Sequence, residues 1–298
     1  MYRKLINRLL LFLLLLLTWL DLSKFQTLPT GNLSQPVPIL PELQINLLQA
    51  SQQYLIEDAL RETKKQLLNY FIPNEAHYPW EVDYVFLNLM ANPEPEVAFV
   101  FSLPPEKGII VILQKRNNFY YLAAYQEYTY PLYKPKALPF KETNELLLAQ
   151  GVQKNREPLF LTTTFIKIWD WQENKLAEVF TEKIKEKTKQ PWAEQTIKLT
   201  YQHSQKEFKI QTQGKRKLAQ QNEGFQQTFT WDDTWQRFIL KKGHYLPPDK
   251  TTPLPIAILK DLSYDLEALL SNQAKYYQII TPNQETLLVK KDRLQTEL

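Results

Sequence analysis

Residues 85–103, VFLNLMANPEPEVAFVFSL, hold the one loop in the chain whose spacing suits a cation. Asn88, Asn92 and Glu96 recur at four-residue steps, with Glu94 between the last two. A calcium loop gathers about six to eight oxygens, several of them from carboxylates close together. Here two amides and one or two carboxylates are on offer. Ala91 and Pro93 stand where such a loop needs freedom, and a proline fixes φ at about −65° and removes an N–H. The expectation is a stiffened turn between two strands. No metal or other cofactor is expected. If calcium were bound, Asn88, Asn92 and Glu96 would be its candidates, with Glu96 supplying the charge.

Other familiar chemistries find little support. His77, His203 and His244 share no metal-ligand spacing with one another. With no cysteine, thiolate zinc sites, cysteine nucleophiles and disulfides are excluded. The six glycines make no phosphate-cradling motif. No GxSxG, SxxK or HExxH occurs. Asp232 and Asp233 sit in WDDTW, where aspartate favours the turn itself. No catalytic residue is assigned, and the chain is not expected to be an enzyme. The alternative is a cell-envelope hydrolase whose carboxylates are dispersed over strands and meet only on folding.

Aromatic residues are the other candidates. Trp169 and Trp171 are two apart and so share one face of a strand. Tyr128 and Tyr130 lie in the proline-rich stretch EYTYPLYKPKALPF, residues 127–140. These four rings serve either as core or as a platform for a glycan or peptide. They are the candidate ligand-binding residues. Trp80, Trp231 and Trp235 also fall at strand or turn positions.

The elements that position these residues begin with a membrane segment. Arg3, Lys4 and Arg8 precede twelve residues, Leu9 to Leu20, of which only Thr18 is polar. A positive start before an apolar run is a secretory or anchoring signal. No small-x-small cleavage site follows, so residues 1–25 are expected to stay as a single-pass signal anchor. The alternative is secretion after cleavage. The positive flank keeps the start cytoplasmic and places the body outside the membrane. Residues 26–41 read as a proline-rich tether and 42–73 as an amphipathic helix ended by Pro73. The net charge of +4 lacks a basic cluster, so no nucleic-acid partner is expected. KIKEKTK (183–189) reads as a solvated run.

From residue 80 to 245 the pattern is short β-runs between polar turns, in three groups of four. The last part, 246–298, reads as a helix over 256–273 and a hairpin, both packed on the β-body. The fold class is therefore mainly β. It is built from four-stranded antiparallel blade-like units, in an open propeller-like array or a sandwich, with helices at both ends.

The segment NLMANPEPEVAFVF, followed by GIIVILQKRNNFYYLAAY, resembles the FG-GAP or VCBS-type repeat of integrin-α-like β-propellers over residues 84–124. In that repeat an acidic loop joins two strands and an outward hairpin follows. Asn88, Asn92 and Glu96 stand at its acidic positions. A fainter copy, LAQGVQKNREPLFL, keeps Gly151 and Glu157 and has Gln153 where an acid would stand. The resemblance implies a blade-like fold, an extracytoplasmic location and a binding or adhesive role. Together these readings point to a noncatalytic, membrane-anchored binding or scaffolding protein with a protein or glycan partner. An accessory subunit of a membrane complex is a further alternative.

Overall fold

The computed structural model describes residues 78–296, except 117–118, 155–160, 189–192, 205–206, 219–220 and 248–251, together with Leu68 and Asn74. The expected anchor (1–25), tether (26–41) and amphipathic helix (42–73, apart from Leu68) lie outside the described residues. Among the described residues no helix is long and apolar enough to cross a membrane. The chain is mainly β, and every strand pair is antiparallel.

The first sheet is a four-stranded meander: β1 (Glu81–Leu87), β2 (Glu96–Leu103), β3 (Lys107–Arg116) and β4 (Phe119–Tyr128). β2 and β3 read as continuous apolar runs because both of their faces are covered. On one face Val97, Phe99, Phe101, Ile109, Val111 and Leu113 pack with Leu68 and Trp80. On the other, Ala98, Val100, Ile110 and Ile112 pack against Leu147, Ala149 and Trp169 of the second sheet.

The second sheet departs from the expected two blades. It is one continuous meander of β5 (Leu132–Pro139), β6 (Glu145–Lys154), β7 (Leu161–Gln172), β8 (Lys175–Thr188), β9 (Ala193–His203), β10 (Phe208–Leu218), β11 (Gln221–Asp232) and β12 (Arg237–Ile239). The proline-rich insert 127–140 supplies β5. LTTTF and FIKIWDW, which overlap at Phe165, form the single strand β7. Two bulges in the β7–β8 ladder, at Thr164/Phe165 and Ile168/Trp169, restart the alternation and make one strand look like two.

This sheet curls into a half-barrel. Phe140 follows β5 and Phe208 opens β10, five strands away, yet their ring centroids are 4.6 Å apart. In a flat sheet five steps of about 4.8 Å would separate them by roughly 24 Å. The hollow is filled by Phe140, Ile168, Phe180, Phe208, Phe229 and Phe238.

The third sheet runs β16-β15-β14-β13-β17. Its strands are β13 (Lys241–Tyr245), β14 (Leu254–Asp261), β15 (Tyr276–Ile280), β16 (Thr286–Lys290) and β17 (Leu294–Thr296). The helix expected over 256–273 is not formed. Its first half is β14, with Ile256 and Ile258 on one apolar face and Ala257 and Leu259 on the other. A run buried on both sides has no periodicity to separate strand from helix. Only a 3-10 turn (Leu262–Tyr264) and a short helix α1 (Leu266–Leu270) follow. Asp261 and Asp265 divide these pieces, each accepting a backbone N–H from the turn it caps.

Candidate functional site

The loop from Asn88 to Glu96 has the opposite polarity to a cation site. Glu96 is fully buried. Its Oε2 accepts the N–H groups of Leu89 and Met90 at 2.8 and 3.2 Å, and Oε1 accepts Asn92 Nδ2 at 2.7 Å. Donors converge on the carboxylate, whereas a calcium loop aims oxygens at an empty centre. The backbone of Asn88 is engaged with the second sheet: its N–H donates to Glu145 Oε2 at 2.7 Å, while Glu145 N–H donates to the Asn88 carbonyl at 2.8 Å. Asn88 and Glu145 thereby lock the first sheet to the second. In the fainter copy Gly151 and Gln153 lie on β6, and Glu157 lies outside the described residues.

Three of the four candidate aromatic residues do come together. Tyr128 lies 5.9 Å from Trp169 and 5.5 Å from Tyr130, centroid to centroid, and Tyr130 stands edge-on to Phe165 at 4.7 Å. Trp169 Nε1 donates to the Tyr128 hydroxyl at 2.9 Å, and that hydroxyl donates to Gln126 Oε1 at 2.5 Å. Trp169 is fully buried and offers no surface. Tyr128, Tyr130 and Trp171 are half-buried at the seam between the first sheet and the half-barrel. The Lys167 ammonium lies over the Tyr128, Tyr130 and Phe165 rings and pairs with Glu178. Burial pushes the Tyr130 hydroxyl above its ordinary pKa, against the pull of Lys167.

Asp232 behaves as a turn residue, its Oδ1 accepting the N–H groups of Thr234 and Trp235. His203 lies tilted against Phe208, with ring centroids 5.4 Å apart, and His77 lies outside the described residues.

Four of the seven charged side chains buried among the described residues meet in one network that no sequence motif marks. Residues 183–188 of the run KIKEKTK belong to β8, where Lys185 and Lys187 face solvent. Glu182, Glu186 and Thr188 turn inward from it. Lys260, at the end of β14, is 3.1 Å from Glu182 and 2.9 Å from Asp265. Lys183 is 3.1 Å from Asp265, 2.6 Å from Glu267 and 3.3 Å from Glu186. The oxygens of Glu186, Asp265 and Glu267 all fall within 4.8 Å of one another. That is a grouping able to hold a metal, and the Lys183 ammonium already sits among them. Glu186 also accepts the Leu266 N–H at 3.0 Å and Gln195 Nε2 at 3.3 Å. The network thus bolts the end of the half-barrel to α1.

Four carboxylates face two ammonium groups here, and the titrations divide accordingly. Burial alone would raise Asp265, yet the Lys260 and Lys183 ammonium groups hold it well below the usual carboxylate range. Burial, reinforced by Asp265, pushes Glu186 up. Burial would lower Lys260, but Glu182 and Asp265 override it and raise its pKa. Beside the network is a cleft of about 260 Å³ lined by Glu178, Lys183, Arg237, Lys260, Asp265 and Gln278. Its charged groups are already engaged: Arg237 Nη2 donates to the Glu178 carbonyl at 2.9 Å. The alternation of Glu182, Ile184 and Glu186 was the available sequence signal for an inward face.

The sequence matches no family model and no curated protein.

Proposed function

We propose that the chain is a noncatalytic binding or scaffolding module, carried on a membrane anchor with its β-body outside the cytoplasm. The observation that carries this reading is the half-buried pair of Tyr128 and Tyr130, whose rings stand against the Lys167–Glu178 pair. Rigid rings with a cation and an anion at their rim suit an extended glycan or peptide. The buried carboxylates, by contrast, are neutralised by lysines and occupied by backbone N–H groups, which leaves them poorly placed for acid–base work. The positive start and apolar run at residues 3–20 support the anchor, and the loop at residues 84–124 supports kinship with blade-like extracytoplasmic repeats.

The test is crosslinking in intact cells. A photoreactive residue is placed at Tyr128, and the captured species is compared with and without Tyr130→Ala. Capture of a discrete peptide or glycan that Tyr130→Ala abolishes is the expected result. Capture unaffected by that change, in a variant that still folds, would sink the aromatic corner as the binding face.

A further inference from the structure

The outer face of the half-barrel gathers lysines that the sequence keeps apart. On β8, β9 and β10, alternate residues such as Glu186, Gln195 and Arg216 turn inward, so Lys185, Lys187, Lys198, Lys215 and Lys217 turn outward. The ladders set these in rows. Lys187, Glu194, Lys217 and Asn222 are successive register partners from β8 to β11. Lys185, Thr196, Lys215 and Gly224 form the next row, and Lys198 stands in a third. Glu194 is the one acid among the outward residues of these rows, and it lies 4.0 Å from Lys185. Lys187, Lys198, Lys215 and Lys217 make no ion pair among the described residues. Lys215 and Lys217, alternate residues of one strand, are about 7 Å apart along it. That is within a Debye length, about 8 Å in physiological salt. Like charges so placed repel and work against the fold, and an anion laid across them relieves the repulsion.

A groove of about 400 Å³ lies in this face, lined by Glu194, Thr196, Lys215, Lys217, Asn222 and Gly224. Arg216 and Glu223 border it too, but they pair with each other. The groove therefore offers free ammonium groups beside a hydroxyl, an amide and one carboxylate. It offers no exposed large apolar side chain: the four among the described residues are Tyr78, Leu246, Leu287 and Leu288. A face seated in a bilayer boundary buries apolar residues there, and single-stranded nucleic acid stacks its bases on aromatic rings. Neither is present. We infer that this outer face binds an acidic polysaccharide. Lys187, Lys215 and Lys217 pair with its carboxylates, while Thr196, Asn222 and Glu194 bond its hydroxyls. This surface is separate from the Tyr128–Tyr130 corner, and the inference stands whether or not that corner binds a ligand.

The test is calorimetric titration of the full chain, purified in mild detergent, with polygalacturonate, and with neutral dextran as the control. Polygalacturonate is expected to bind, and to bind more weakly as salt rises. Dextran is expected not to bind. Lys215→Glu combined with Lys217→Glu should weaken binding on the order of tenfold or more, with an unchanged circular dichroism spectrum. Lys215→Gln with Lys217→Gln should fall between that pair and the wild type, and it serves if the doubly reversed chain misfolds. Lys275→Glu with Lys290→Glu changes the net charge equally on the third sheet and should stay within about twofold of the wild type. Tyr130→Ala should bind polygalacturonate as the wild type does, which separates this surface from the aromatic corner. Absence of polygalacturonate binding overturns the inference, as does an equal loss in the two charge-reversed pairs. Tighter binding to duplex DNA or to vesicles of anionic lipid than to polygalacturonate overturns the choice of occupant.

Discussion

Lys183 on β8 and Asp265 at the start of α1, 82 residues apart in the chain, hold their charged atoms 3.1 Å apart. Through this contact the half-barrel fixes the segment that connects β14 to β15. Asp265 also accepts the Ala268 N–H at 3.0 Å and the Lys260 ammonium at 2.9 Å, so one carboxylate serves as helix cap and as counter-ion twice over.

Asp265→Ala is accordingly expected to be among the most damaging single substitutions. It leaves Lys260 buried beside Glu182 alone and uncaps α1. Breaking a buried ionic cluster from one side costs about 3–5 kcal/mol. Urea unfolding followed by tryptophan fluorescence should show a loss in that range. A loss near that of an exposed ion pair, below about 1 kcal/mol, would refute a structural role for the network.

The same groups set the response to pH. Asp265 has a folded pKa below its unfolded value of about 3.9, so its contribution is complete above that value and lost as pH falls below it. Lys260 is raised above its unfolded value of about 10.4, so its contribution is complete below that and lost as pH rises through the folded value. Glu186 is raised and has the opposite sign to Asp265, favouring the fold when protonated. The urea midpoint should fall on the acid side below about pH 4 and on the alkaline side above about pH 10. Asp265→Asn should lose stability at neutral pH, and its deficit relative to wild type should shrink towards pH 3. A constant deficit across that range would contradict the assignment.

Glu96→Ala removes the acceptor for two loop N–H groups and for Asn92. Buried donors without partners cost about 1–3 kcal/mol each, so a destabilisation of about 3 kcal/mol is expected. Glu96→Gln should recover part of it. Calcium and chelator should leave the melting temperature of the wild type unchanged. A strong rise at micromolar calcium would show that the loop rearranges into a metal site after all.

Two of the six glycines are register partners of phenylalanines, Gly151 with Phe165 and Gly214 with Phe225. In each pair the ring lies over the glycine, so an added Cβ would fall inside it. Phe225 is further backed by Tyr264 at 5.0 Å. Gly151→Ala should cost about 1–3 kcal/mol through overpacking. Gly151→Ala combined with Phe165→Leu should cost less than the sum of the single changes. Strict additivity, measured in the same unfolding assay, would argue against the ring-over-glycine contact.

Much of the local structure was present in the order of residues. YVFL, EVAFVFSL, GIIVIL and FYYLAAY form strands because β-branched and aromatic residues suit a pleated, packed surface. Glu173 and Asn174, with φ of 49° and 61°, turn the β7–β8 hairpin within the polar stretch DWQEN. Turn chemistry acts over a few residues and can be read there. Three matters were settled elsewhere. The half-barrel depends on Phe140 meeting Phe208 across the sheet, and no local pattern states how far a sheet curls. IAIL at 256–259 is a strand because both of its faces are covered by partners distant in the chain. Lys183, Lys260, Glu186 and Asp265 look like ordinary solvated residues until folding removes their water. Desolvation and Coulomb attraction depend on what lies nearby in space, so only the tertiary structure could turn those four side chains into one unit.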